Sequence, residues 1–99
     1  MQIEQSRATR LTLTVPLLYR RPGQAEWTQA RVINISESGA MFAPANLEPG
    51  ASIEVVFSTP VWLGSMPPGQ LVCVADVVRT TPAGVAAVRF DECRFLIDT

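Results

Sequence analysis

Over residues 10–19 the chain alternates, with Leu11, Leu13, Val15, Leu17 and Tyr19 set against Thr12, Thr14 and Pro16. A period of two with threonines opposite is the pattern of a half-buried strand. Pro16 has no backbone donor, which predicts an edge or a bulge at that point. The same texture recurs downstream. Ala30 and Val32 mark a second strand within residues 27–34, and residues 40–43 a short third. Residues 52–58 set Ile53, Val55 and Phe57 against Ser52 and Glu54, residues 71–79 are nearly all apolar apart from Asp76, and residues 84–91 form the last strand. Arg21-Pro22-Gly23, Ser36-Glu37-Ser38-Gly39, Pro49-Gly50, Pro67-Pro68-Gly69 and Pro82-Ala83-Gly84 punctuate these segments as turns or loops. Six such strands without an amphipathic helix between them predict an all-β fold, a small six- or seven-stranded antiparallel barrel or sandwich. The one helix candidate is a very short stretch at residues 92–97. Residues 59–69 form a long apolar loop whose Trp62, Leu63 and Met66 need cover, either as a lid on one end of the barrel or against a partner.

Ninety-nine residues is the length of one domain. It divides into an arm (1–9), a barrel (10–91) and a tail (92–99). With 47% hydrophobic and 17% charged residues the composition is globular. A net charge of -1 leaves no basic excess to neutralise a run of phosphates, so general DNA or RNA binding is not expected. The basic residues are all arginine, the side chain suited to forked recognition of phosphate or a base edge.

The sequence contains no histidine, which removes the commonest general base and metal ligand and excludes Ser-His-Asp and Cys-His catalysis within this chain. No metal and no catalytic residue is expected. Cys73 and Cys93 stand twenty apart with no C-x-x-C and read as buried, reduced thiols; a pairing between them cannot be read from the sequence. The polar N-terminus has no apolar h-region and no apolar run is long enough to span a bilayer, so the expected compartment is the cytoplasm, without membrane insertion.

One motif carries candidate chemistry: Asn34-x-Ser36-x-x-Gly39, within R-V-I-N-I-S-E-S-G-A, at a strand-to-strand corner. Asn34 and Ser36 can cap a turn through their side chains, and Gly39 can adopt a positive φ at no steric cost. Taken alone this is a well-made turn. Upstream, Arg7 and Arg10 sit on the arm just before the first strand and could clamp an anion, though such a pair is also what a solvated tail looks like. Arg79 and Arg89 read as surface residues, Trp27 as a rim or core aromatic, and Asp91 and Glu92 as no acid/base pair.

Together the arm and the corner resemble the PilZ domain family, in which an R-x-x-x-R arm precedes the first strand and a [D/N]-x-S-x-x-G motif follows the second. The resemblance covers nearly the whole chain, including A-D-V-V-R and G-V-A-A-V-R-F as closing strands. It implies a split barrel with a flexible arm and a cytoplasmic bacterial receptor or adaptor for the second messenger cyclic di-GMP, a ligand rather than a cofactor. Asn34 and Ser36 would then hydrogen-bond a guanine edge, Gly39 would let the backbone turn close by, and Arg10 matches the second arginine of the arm. Where the family has its first arginine this chain has Ser6, with Arg7 one position late. Two readings follow: a nucleotide receptor in which Arg7 substitutes and the arm signals to a protein partner, or a degenerate PilZ domain that binds protein without nucleotide. A homodimer is compatible with either. The first requires Arg10 at the same end of the sheet as the corner at residues 34–39.

Overall fold

The structure, a computed structural model, describes residues 15–96. Within them the chain forms six strands: β1 (Pro16–Arg20), β2 (Thr28–Ser36), β3 (Gly39–Ala43), β4 (Ser52–Thr59), β5 (Gly69–Thr80) and β6 (Ala86–Phe95). Each overlaps a stretch expected as a strand, with β6 running beyond the expected 84–91. The strands pair antiparallel in the closed order β1-β2-β3-β6-β5-β4, two three-stranded meanders joined edge to edge. Closure leaves no free strand edge. Pro16 is tolerated because it is the first residue of β1, paired to Arg31 alone.

The inward rows form the core: Leu17 and Tyr19 from β1, Ile53, Val55 and Phe57 from β4, and Leu71, Cys73, Ala75 and Val77 from β5 are all buried. Tyr19 tilts against Phe42 with ring centroids 5.4 Å apart, and Phe57 stacks on Phe90 at 5.7 Å. Both ends are plugged from loops. The connection between β3 and β4 buries Leu47 and is pinned by the Asn46 amide donating to Tyr19 Oη at 3.3 Å. At the opposite end, Leu63 from the loop at 59–69 is 1% exposed and Met66 packs beside it. Leu63 and Met66 exchange both backbone hydrogen bonds around Gly64 and Ser65, so this tongue is a tight turn. The loop therefore acts as a lid through Leu63, while Trp62 stays 62% exposed on its outer side.

Two expectations are corrected. The stretch expected as a short C-terminal helix is the second half of β6, which runs to Phe95; the long β5 opposite it supplies ladder partners, Val74 to Glu92, Cys73 to Cys93 and Leu71 to Phe95, that outweigh a few residues of helical tendency. The cysteines expected as reduced thiols form a disulfide. Register is the reason: β5 and β6 set Cys73 directly across from Cys93, and sequence spacing carries no information about register.

Closing a loop of this separation constrains the unfolded chain. Replacing both cysteines, Cys73→Ala with Cys93→Ala, is expected to lower unfolding free energy in urea by about 3 kcal/mol. A midpoint identical to that of the parent chain under non-reducing conditions would show that the sulfurs are not joined in solution.

Candidate functional site

Strand β2 carries the motif, and its phase decides where the motif points. Val32 is buried opposite Phe42, and Ile35 is buried opposite Ala40. They stand three positions apart, an odd spacing that an unbroken strand cannot accommodate on one face. A β-bulge between Val32 and Asn34 absorbs the difference, with Ile33 as the extra residue, 40% exposed. Beyond it Asn34 pairs with Met41 and is half-buried on the outer side, while Ser36 pairs with Gly39 and is buried beneath the corner. Without the bulge Asn34 and Ser36 would follow Val32 into the core.

The corner is a two-residue turn, Glu37-Ser38, between the paired Ser36 and Gly39. Neither turn residue has a positive φ. Ser36 holds the turn from within: buried at 1% exposure, its Oγ accepts the Ser38 amide at 3.3 Å and lies 3.0 Å from Ser38 Oγ. Gly39 is required for a different reason from the one expected. It is not among the glycines with positive φ; instead, a Cβ on it would collide with the Val88 carbonyl oxygen of β6. The glycine permits close approach of two backbones, not a left-handed turn. Asn34 Nδ2 donates to Met41 Sδ at 3.4 Å, which orients the amide across the neighbouring strand.

Lateral register extends the site beyond the motif. Asn34 pairs with Met41, Met41 with Ala87 and Ala87 with Arg79; Ser36 pairs with Gly39, Gly39 with Arg89 and Arg89 with Asp76. A second bulge, with Val78 as the extra residue of β5, sets Arg79 on the outward row beside Ala87. The result is an open concavity of about 380 Å³ lined by Asn34, Ser38, Gly39, Met41, Arg79 and Arg89, among others. Arg89 has a loose, exposed contact with Asp76 at 3.5 Å, and such pairs contribute little. Two guanidinium groups thus share one hollow with an amide and a backbone corner, a set suited to a ligand carrying both phosphate and hydrogen-bonding base edges.

Of the five site residues read from the sequence, Asn34, Ser36 and Gly39 come together at this corner. Arg7 and Arg10 lie outside the described residues. Because β1 runs antiparallel to β2, its N-terminal end is the one nearer the motif: the Val15 carbonyl accepts the Val32 amide at 2.9 Å, beside the bulge. Arg79 and Arg89, read from the sequence as surface residues, line the same concavity as Asn34; nothing short of the strand register identifies them. Trp27 lies before the far end of β2, half-buried with the Arg20 guanidinium carbon 4.2 Å over its ring, and takes no part in the site. Among the described residues there is no group of three or more His, Cys, Asp or Glu that could hold a metal ion, and no helix long and apolar enough to cross a membrane.

The PilZ domain family model matches residues 4–96. A crystal structure of the PilZ domain of CeSA from a cellulose-synthesizing bacterium superposes with a TM-score of 0.61 at 16% identity, covering 92% of this chain and 83% of that one, so the two share a fold. No curated protein matches the chain at a comparable level.

The Gly39–Val88 approach sets a test. Gly39→Ala must push β3 from β6 and is expected to cost about 1–3 kcal/mol of stability, with faster hydrogen exchange at the β3–β6 amides. Parent-like stability and exchange would mean that the two strands are farther apart than described.

Proposed function

Since this chain belongs to the PilZ domain family, we propose that it is a binding module rather than an enzyme and that its ligand is cyclic di-GMP. The observation that carries this is the shared concavity of Asn34 and Gly39 with Arg79 and Arg89. Cyclic di-GMP presents two phosphates and two guanines. Guanidinium groups fork to phosphate or to guanine O6 and N7 and stack on base planes, and a side-chain amide pairs with a base edge. The two strand arginines also answer the replacement of the arm's first arginine by Ser6, since they bring positive charge to the motif from the other side.

The arm supplies the remainder. Arg10 stands five positions before Val15, a reach of at most about 17 Å, and Val15 enters β1 at the end nearer the motif. Arg10, with Arg7 in the role of the missing arginine, closes over the nucleotide. Ordering the arm costs about 1–2 kcal/mol per residue fixed, so affinity is moderate, and the closed arm with the barrel presents a new surface to a protein partner. Ser6 and the exposed Trp62 favour a second reading, a domain that binds protein without nucleotide.

Titration calorimetry with the purified chain is expected to give saturable heat with cyclic di-GMP. Arg10→Ala and Arg79→Ala should each weaken binding about 10- to 100-fold, the loss of one charge-assisted contact. Ser36→Ala should weaken it by loosening the turn, and Ser6→Arg should tighten it. No heat and no chemical-shift change at high micromolar nucleotide, with the chain folded, would reject the receptor and leave the protein-binding module.

A further inference from the structure

The two residues of the corner turn line different hollows. Ser38 lines the concavity shared with Asn34, Arg79 and Arg89. Glu37 lines a second one of about 260 Å³, with Ser65 and Met66 of the tongue and Phe90 of β6. The turn has only these two positions between the paired Ser36 and Gly39, so a movement of one residue moves the other. Three hydrogen bonds hold it. Ser36 Oγ accepts the Ser38 amide at 3.3 Å from below, the Ser38 carbonyl accepts the Phe90 amide at 2.9 Å, and Glu37 Oε1 accepts the Ser65 amide at 2.8 Å.

Where the tongue meets Glu37 only glycine fits. Gly64 has a φ of +59°, in the left-handed region, and a Cβ on it would collide with the Glu37 carboxylate. The paired backbones of Leu63 and Met66 close the tongue into one turn, buried at Leu63 and exposed at Val61 and Trp62. A shift at Ser65 is therefore felt by the tongue as a unit. The Glu37–Ser65 bond is open to solvent, so exchanging it for a bond to water costs little, as a reversible contact requires. We propose that the Glu37-Ser38 turn is a lever between the two hollows. A ligand that hydrogen-bonds Ser38 beside the strand arginines displaces the turn, and Glu37 passes the displacement to Ser65 and so to the tongue that displays Trp62. The lever's ligand rests on the receptor reading above, whereas its linkage belongs to the chain alone. Both hollows act on one movable element, so a change made in the tongue is felt at the corner as well.

Exchange of amide protons with water, followed by NMR on the full chain without nucleotide, tests the linkage. Glu37→Ala is expected to speed exchange at Ser65 about tenfold. Glu37→Gln, which keeps a side-chain oxygen as acceptor, should hold it near the parent rate. Ser38→Gly, at an exposed position, loosens the turn. It should speed exchange at Ser65 in the parent chain but no further in Glu37→Ala, with the β4 amides unchanged in both. Saturating cyclic di-GMP should then move the Gly64 and Ser65 amide resonances in the parent chain and in Glu37→Gln, and leave them in place in Glu37→Ala. Exchange at Ser65 that ignores both Glu37→Ala and Ser38→Gly overturns the linkage. Nucleotide that binds without moving Ser65, or moves it equally in Glu37→Ala, overturns the lever and leaves the receptor standing. Absence of binding overturns the receptor and the ligand-driven lever together, and the exchange rates then decide the linkage on their own.

Discussion

Two polar residues that follow a core residue in a strand at even spacing must enter the core with it, unless the strand gains a residue. That constraint governs this molecule. Ile33 is the added residue in β2, and it turns Asn34 from the core side to the outer side and sets Ser36 beneath the corner turn, while Ile35 returns to the interior. The device is repeated. Val78 is the extra residue of β5 and sets Arg79 outward; in β6, Asp91 falls between Phe90, opposite Ala75, and Glu92, opposite Val74. Three register shifts re-phase three strands, and the first two assemble one outward row from four different strands.

A row of this kind is rigid because each member is placed by backbone pairing rather than by a loop. Asn34, Met41, Ala87 and Arg79 follow one another laterally across β2, β3, β6 and β5. Only the Glu37-Ser38 turn rises above the sheet, and it is held by Ser36 Oγ beneath it. The glycine that ends the motif draws β3 against β6, which brings Arg89 next to the corner. The Asn34–Arg79 row is thus built on the outer wall of the barrel, leaving the interior to apolar packing.

The strands were legible because alternation and turn residues are local signals. The bulges left a trace: Val32-Ile33 and Val77-Val78 are adjacent apolar pairs in which one member is buried and the other exposed. Period-two reasoning passes over such a pair as a slightly richer strand. The motif's position was legible as well, since a corner of Asn, Ser and Gly is a local feature. What escaped the sequence is everything that depends on lateral register: Arg79 and Arg89 reaching the hollow, Cys73 facing Cys93, and Gly39 serving a close approach instead of a positive φ. The end of β6 beyond Asp91 was missed because Glu92-Cys93-Arg94 has no apolar rhythm of its own and is strand only by virtue of β5 beside it.

Glu37 occupies a position that the motif leaves open to any residue. Its Oε1 accepts the Ser65 amide at 2.8 Å, and its carboxylate sits where any side chain on Gly64 would have to go. One acidic side chain therefore braces the corner to the tongue, with Leu63 plugged into the barrel on one side of the joint and Trp62 displayed on the other. A cation or a hydrogen-bond donor that captured Glu37 would cut the brace, and the two loops would lose their common alignment in a single event.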